Sequence, residues 1–312
     1  MRRPGKLGWT IIGIAFLALI AFALWRWAVA AGSASTLDWI DARFSRDRGA
    51  ELIASVDTGA GGAAHSEIWV PEGAAPTGGF PLVVFAHGGG WHSGAPQDYR
   101  FVARTFAEHE YATALIGYRL VPEGRYPAML EDSAAALRWV RDVAGEARVN
   151  ADRMVLIGHS AGAYNVLMLG LDPQWFVAAG VPSEAIAGVV SMAGPADFFP
   201  FDKESSINAF GHVADGRITQ PIAFARADAP PILLLHGTAD DVVRPYNSRN
   251  LEQAIRNAGD NARLIEFDGM SHAGLVMGLS KPFAQGGRVL DPILHFLRER
   301  GEASVPVQPE IR

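Results

Sequence analysis

The sequence predicts an α/β protein built on a doubly wound, mostly parallel sheet with helices on both faces. Three observations support this fold class. The 312 residues are 49% apolar, which is enough to bury a large core. Short apolar runs alternate with stretches of helical spacing, as expected of strand–helix–strand units. Glycine clusters directly follow two of the apolar runs, where a parallel strand must turn.

The predicted elements follow in order along the chain. The stretch 55–62 is predicted to be a loop, because clustered glycines favour turns and loops over regular strands. The apolar patterns predict strands at 65–70, 82–86, 114–117, 154–157, 187–192, 232–235 and 263–267, and helices at 130–144, 163–171, 251–258 and 289–298.

The first thirty residues predict one N-terminal transmembrane helix. Basic residues precede an uncharged run at 7–25, which as a helix would be roughly 28 Å long, about the thickness of the bilayer core. Tryptophans at 9 and 25 stand at its ends, where interfacial aromatics belong. The basic flank favours a cytoplasmic N-terminus, so we expect a single-pass inner-membrane protein with a periplasmic or extracellular domain. Two alternatives stay open: a signal peptide cleaved after 28–30, giving a secreted protein, and a buried core helix.

The rest of the chain divides into a linker, one domain and a tail. Residues 31–50 are interpreted as a linker with a short amphipathic lead-in, 51–301 as the folded domain and 302–312 as a frayed tail. Within the domain, 195–228 is rich in phenylalanine and proline and lacks a regular pattern. We interpret it as a cap-like insertion that walls a substrate pocket; a packed surface excursion is the alternative.

Composition and missing motifs exclude several classes of function. The net charge is −6 and no basic stripe is interleaved with aromatics, which argues against nucleic-acid binding. The absence of cysteine excludes disulfides, cysteine nucleophiles and cysteine-type zinc sites. No His-Glu-x-x-His motif or close cluster of histidines and carboxylates occurs, so we expect neither a metal nor another cofactor.

The sequence Gly158-His-Ser160-Ala-Gly162 follows an apolar strand and leads straight into a predicted helix. A serine is a poor nucleophile unless the backbone holds it where a base can reach it, and a tight strand-to-helix turn does so. Glycines flanking the turn remove Cβ atoms that would clash. Ser160 is therefore the predicted nucleophile.

A second glycine cluster, His87-Gly-Gly-Gly-Trp91, follows the strand at 82–86. Attack on an ester carbonyl creates an oxyanion, and consecutive glycines let backbone N–H groups point at it. We assign Gly89 and Gly90, with the N–H of Ala161, as the donors. His87 is expected to brace this loop. Trp91 is either a pocket wall or ordinary packing.

The acid and the base should follow later strands. Asp240 and Asp241 both come just after the strand at 232–235, and the residues alone do not choose between them. Of the two histidines beyond them, His272 sits in a flexible glycine-flanked loop and is the predicted base, whereas His295 lies in a helical run and is interpreted as structural. The other histidines, at positions 65, 92, 109, 159, 212 and 236, are interpreted as surface or packing residues.

With these motifs in this order, residues 65–300 resemble the α/β-hydrolase superfamily, specifically the esterases related to hormone-sensitive lipase and the bacterial feruloyl-esterase-like carboxylesterases. The resemblance also includes Tyr118-Arg-Leu-Val-Pro-Glu123. It implies the α/β-hydrolase fold and a catalytic domain over 51–301. In the family's His-Gly-x-x-Asp pattern, which starts here at His236, the acid is Asp240. It further implies Ser160 as nucleophile and His272 as base.

The implied activity is hydrolysis of small to medium acyl esters through a serine acyl-enzyme. The partner is then a small-molecule ester, with Trp91 and Phe198 as candidate pocket residues. An arylformamidase and a serine peptidase with the same triad remain alternatives, and so does an inactive binding protein on the same fold. The oligomeric state is not predicted.

Overall fold

A computed structural model of the chain describes residues 34–44, 49–58, 64–259 and 261–302, together with positions 13, 15–17 and 19–20. The predicted membrane anchor at 1–30 lies outside the described residues except at those six positions. Among the residues described, no helix combines the length and the apolar character that crossing a bilayer requires. The predicted tail also lies outside them, apart from Glu302 at the end of the last helix.

The described residues form an eight-stranded sheet in the order β1-β2-β4-β3-β5-β6-β7-β8. The first two strands are antiparallel to their neighbours, and every later pair is parallel. The prediction of a mostly parallel α/β sheet is therefore confirmed. The strands are β1 Ala50–Thr58, β2 Ala64–Pro71, β3 Phe80–Ala86, β4 Ala112–Ile116, β5 Val149–His159, β6 Ile186–Met192, β7 Ile232–Gly237 and β8 Ala262–Phe267.

Helices cover both faces of this sheet. The inner strands are buried on both faces of the sheet, and a hydrophobic core lies on each face. Alternate residues of β3 therefore belong to different cores: Val84 packs in one, and Val83 and Phe85 pack in the other. The helices are α1 Ala34–Phe44, α2 Arg100–Ala107, α3 Ala128–Asp142, α4 Ala161–Leu171, α5 Gln174–Ala179, α6 Glu204–Phe210, α7 Tyr246–Ala258, α8 His272–Met277 and α9 Leu290–Glu302.

The structure differs from the sequence expectations at the N-terminal edge of the domain. The stretch 55–62 is not a loop throughout, because β1 continues to Thr58 and pairs with β2. Within the predicted linker 31–50, helix α1 packs against α2 and the turn at Lys281–Phe283. Helix α1 depends on contacts with distant segments, which local composition does not encode, whereas β1 pairs with the next strand of the chain.

Candidate active site

Ser160 lies on a strained turn between β5 and α4. Its backbone has φ 56° and ψ −122°, and its N–H donates to the carbonyl oxygen of Met192 on β6 at 2.9 Å. A Cβ on Gly158 would lie 2.3 Å from the carbonyl oxygen of Gly162, and one on Gly162 would lie 2.2 Å from that of Ala86. Neither position admits a side chain, so the two glycines are what allow strand, serine and helix to meet this closely.

This turn opens on a cavity of about 670 Å³ at the carboxyl edge of the sheet. That volume falls within the roughly 300–1,000 Å³ of small-molecule sites. Ser160 and His272 both line it, as do Gly89, Gly90 and Ala161. The structure thus brings the predicted nucleophile, the predicted base and the three predicted oxyanion donors to one place.

The loop after β3 presents its backbone to the cavity. Gly89 and Gly90 have φ +124° and +59°, and a Cβ on Gly89 would lie 2.0 Å from the carbonyl oxygen of Ser93. The Gly89 carbonyl is occupied by the N–H groups of His92 and Ser93, both at 3.1 Å. In contrast, the N–H groups of Gly89, Gly90 and Ala161 donate to no acceptor among the described residues. They are therefore available to a ligand oxygen.

His87 stabilises this loop through a hydrogen bond and a ring contact. Its Nδ1 donates to the carbonyl oxygen of Gly88 at 2.8 Å, and its ring stacks on Tyr118 with centroids 4.5 Å apart. The Tyr118 hydroxyl donates back to the His87 carbonyl oxygen at 2.9 Å. Burial lowers the pKa of His87 to about 4, so the ring is neutral near pH 7. These contacts fit a structural role for His87.

Asp240 pairs with His272, whereas Asp241 does not. Nδ1 of His272 donates to Oδ2 of Asp240 at 2.7 Å. Oδ1 of Asp240 accepts the backbone N–H groups of Val242 and Val243 at 2.9 and 2.8 Å. Burial alone would raise the pKa of Asp240, but hydrogen bonds from His236 and His272 outweigh it and hold the pKa well below its usual range. Asp241 is exposed at the edge of the cavity.

His272 is not in a flexible loop. It is the first residue of α8, after the N-cap Ser271. The glycine-flanked sequence suggested mobility because it contains turn formers, but the segment is anchored at Gly237, where a Cβ would lie 2.1 Å from the carbonyl oxygen of Met270. The base is thus carried by a short helix packed against β7.

Sequence reasoning missed two histidines of this site, His159 and His236. Nε2 of His159 donates to the carbonyl oxygen of His272 at 3.1 Å. Nε2 of His236 donates to the carbonyl oxygen of Val243 at 2.7 Å and lies 3.4 Å from Oδ2 of Asp240. A signal existed for each. His159 directly precedes Ser160, and His236 stands four residues before Asp240 in the His-Gly-x-x-Asp pattern.

Aromatic rings form one wall of the cavity, and both predicted pocket residues belong to it. Trp91 and Phe198 line the cavity and stack with centroids 6.1 Å apart. Phe210 and Tyr164 meet the Trp91 ring edge to face at 4.8 and 5.4 Å. Trp91 therefore both packs and lines the pocket. Its buried Nε1 has no hydrogen-bond partner among the residues that the structure describes.

The irregular stretch 195–228 contributes to the same wall. Besides Phe198, its residues Lys203 and Ser205 border the cavity next to helix α6. His295, in contrast, lies away from the site on α9, where it is 60% exposed and contacts Glu299 at 3.3 Å. The ranges that the structure describes contain no group of three or more histidines and carboxylates placed to hold a metal ion.

A mostly parallel sheet with a serine on a tight strand–helix turn, followed by an acid after β7 and a histidine after β8, defines an α/β hydrolase. The predicted resemblance is thereby confirmed at the level of superfamily. The family model BD-FAE matches residues 67–255, more than half of the sequence, and the chain belongs to the BD-FAE family.

Three further comparisons agree with this assignment. The carboxylesterase NlhH of Mycobacterium tuberculosis is 45% identical over 83 residues, which cover 26% of each chain. The esterase LipQ of the same species is 27% identical over 210 residues, which cover 62% of this chain and 50% of LipQ. A truncated carbohydrate esterase from gut microbiota has the same fold, with a TM-score of 0.69 at 20% identity, covering 81% of this chain and 96% of that one. The match spans a quarter of NlhH and half of LipQ.

Proposed function

We propose that this chain is a serine carboxylic-ester hydrolase that works through an acyl-enzyme. One observation carries the proposal: His272, paired with Asp240, and Ser160 line a single cavity together with Gly89, Gly90 and Ala161, whose N–H groups donate to no acceptor among the described residues. A protein that only bound an apolar ligand would not need this combination of an Asp–His pair, a serine and backbone N–H donors. The relatives named carboxylesterase and esterase support the same reaction class.

In the proposed first step, Nε2 of His272 takes the proton of the Ser160 hydroxyl as its oxygen attacks the ester carbonyl carbon. The carbonyl oxygen becomes the oxyanion and accepts hydrogen bonds from Gly89, Gly90 and Ala161. As the ester C–O bond breaks, His272 gives its proton to the departing alcohol, leaving the acyl group on Ser160. Water then repeats the sequence, with His272 as base, and releases the carboxylic acid.

Asp240 serves this cycle without changing its own protonation. Its lowered pKa keeps it ionised near pH 7, so it stabilises the imidazolium that forms at each step. Its bond to Nδ1 also fixes the tautomer that leaves Nε2 of His272 free to accept the serine proton.

Turnover of p-nitrophenyl acetate by Ser160→Ala tests the proposal. We expect hydrolysis by the variant to fall by about 10⁴-fold or more while its thermal unfolding stays close to that of the wild type. Ser183→Ala, at an exposed turn away from the cavity, is the matched control and should keep full activity. A folded Ser160→Ala protein with wild-type rates would overturn the mechanism.

Amide substrates distinguish an esterase from the two alternative enzymes, an arylformamidase and a serine peptidase. Esters should be hydrolysed in preference to peptides and to N-formylkynurenine, because the relatives are named esterases and Trp91 and Phe198 give the cavity an apolar wall suited to an acyl or alkyl group. Faster turnover of N-formylkynurenine than of any ester in the panel would favour an arylformamidase.

We also propose that residues 7–25 anchor the protein in the inner membrane with the domain on the outer side. The sequence pattern supports this, and so does α1, which exposes Trp39 (59%) and Phe44 (64%), residues typical of membrane interfaces. The full chain should sediment with membranes, stay there in high salt, and be released by detergent. Recovery of the uncleaved chain in the soluble fraction would contradict the anchor.

A further inference from the structure

Helix α1 precedes the first strand, yet it borders the active-site cavity. Its inward residues Ala34, Thr36, Leu37 and Ile40 line the same space as Ser160. Leu37 is 7% exposed and packs into the core cluster that includes Val276 of α8. The helix has 11 residues, and isolated helices of that length are marginal in water, so its position depends on these contacts.

An ionic clasp fixes α1 to the domain. Arg104 on α2 donates from Nε to Asp41 at 3.0 Å and from Nη2 to Asp38 at 2.6 Å. The side chain of Asp41 is fully buried, and it also accepts the Ser280 hydroxyl at 3.0 Å and the Lys281 N–H at 2.9 Å. A buried carboxylate held by three donors is a rigid attachment, since breaking it would leave a charge unpaired. The inner face of α1 is therefore a permanent wall of the cavity.

The helix that begins at His272 adds apolar side chains to the same part of the cavity lining as α1. Val276 and Met277 of α8 line the cavity together with Leu37 and Ile40 of α1. These four side chains are apolar, and no charged residue of α1 or α8 lines the cavity between them. In the proposed reaction His272 protonates the departing alcohol, so the alcohol part of the ester lies on the His272 side of Ser160. Because α8 begins at His272, the apolar surface that α8 shares with α1 starts on that side of the cavity.

We infer that the apolar surface formed by Leu37 and Ile40 of α1 with Val276 and Met277 of α8 lines an alcohol-binding channel, and that this channel selects esters of extended aliphatic alcohols. This inference rests on the proposed ester hydrolysis and adds the substrate class. A cavity of about 670 Å³ has room for such a chain beside the aromatic wall at Trp91. Contact with each buried methylene should then add to transition-state binding.

The test compares hydrolysis of ethyl acetate and hexyl acetate by the full chain and by Ile40→Trp. The added indole should block the channel and lower the hexyl-to-ethyl ratio of kcat/KM by about tenfold or more. That ratio does not depend on how much of the sample is folded. Ala42→Trp adds the same side chain to the exposed face of α1 and should leave the ratio unchanged. Met277→Trp, on the α8 part of the same apolar surface, should reproduce the effect of Ile40→Trp.

A parallel series varies the acyl chain instead, from p-nitrophenyl acetate to p-nitrophenyl hexanoate. Its ratio should not move in Ile40→Trp. An unchanged hexyl-to-ethyl ratio in both channel variants would overturn the inference, and so would a loss confined to the acyl series. If the wild type hydrolyses neither ethyl acetate nor p-nitrophenyl acetate, it is the proposed esterase function that fails.

Discussion

The imidazole of His159 donates from Nε2 to the backbone carbonyl oxygen of His272 across 3.1 Å, and the two rings lie with centroids 4.8 Å apart. The residue before Ser160, the proposed nucleophile, thus holds the backbone of His272, the proposed base. Burial, and then the nearby His272, lower the pKa of His159 to about 3. His159 therefore stays neutral when His272 takes up a proton, and it adds no second positive charge beside the imidazolium.

Replacing His159 should disturb the position of His272. His159→Leu removes the donor while keeping an apolar side chain, and the loss of one neutral hydrogen bond of about 1 kcal/mol predicts roughly a fivefold fall in kcat on p-nitrophenyl acetate. His159→Gln retains an N–H donor and should recover part of that loss. The pH profile of kcat should shift in His159→Leu, because the base is no longer held in place. Identical profiles and rates in both variants would show that the contact is only packing.

His236 should act on the reaction through Asp240. Its ring bridges Ser248, whose hydroxyl donates to Nδ1 at 2.7 Å, and the Val243–Asp240 turn on the other side. His236→Phe removes a donor that holds Asp240 ionised, so the pKa of Asp240, followed by NMR of its carboxyl carbon, should be higher than in the wild type. Ser248→Ala should raise it less, since it acts one bond further away. An Asp240 pKa unchanged in His236→Phe would exclude this role.

Asp240 should also make stability depend on pH. Its folded-state pKa is depressed, so its contribution is fully present above the unfolded value of about 3.9 and is lost as the pH falls towards the folded value. The free energy of unfolding, measured in urea at pH 6 and at pH 3, should therefore drop more in the wild type than in Asp240→Asn. Equal drops would indicate that other groups dominate acid unfolding. At pH 7 the same variant should lose about 10⁴-fold in kcat.

The ionic clasp on α1 predicts a large stability effect from a single arginine. Arg104→Met leaves buried Asp41 without its charged partner and should lower the free energy of unfolding by about 3 kcal/mol. Arg138→Met removes an exposed pair, Arg138–Asp142 at 3.7 Å, and should change it by less than about 1 kcal/mol. Denaturant titration of both variants provides the comparison. Similar small effects would mean that α1 is held weakly.

The close packing of the serine turn predicts the effect of one methyl group. In Gly162→Ala the new Cβ would lie 2.2 Å from the Ala86 carbonyl oxygen, so either β3 or α4 must shift. We expect a loss of stability of about 3 kcal/mol or failure to fold. Gly145→Ala is the control, since a Cβ there meets nothing within 4 Å. A Gly162→Ala protein with the wild-type Tm would contradict the described geometry.

The parts of the fold that sequence predicted are those encoded locally. The apolar runs of β3, β5 and β7 and the glycines around Ser160 carry their own signal, because buried parallel strands and tight turns restrict residue type position by position. Helix α1 was not predicted as a helix, because its partner Arg104 lies far along the chain. Strand β1 was missed because it runs into a glycine-rich sequence that predicted a loop, although it pairs with the next strand, β2.

In the candidate site, too, the residues in local motifs could be predicted from the sequence, and those that act through distant contacts could not. Gly89, Gly90 and Asp240 were predicted through motifs with fixed spacing, and the structure places the glycines at the cavity and Asp240 beside His272. The roles of His159 and His236 were not, because a histidine that orients another residue looks in sequence like one that merely packs. Their functions depend on which backbone oxygen each ring faces, and that is set by the meeting of β5, β7 and α8.

The central claim is that the Ser160 oxygen forms a covalent bond with the substrate carbon or its analogue. Mass spectrometry of the protein after treatment with a fluorophosphonate tests this directly, since that reagent reacts with an activated serine. The account predicts a single phosphonyl adduct, located on the peptide that carries Ser160 and absent from His272→Ala. An adduct on a different residue, or none in a preparation that hydrolyses p-nitrophenyl acetate, would contradict it.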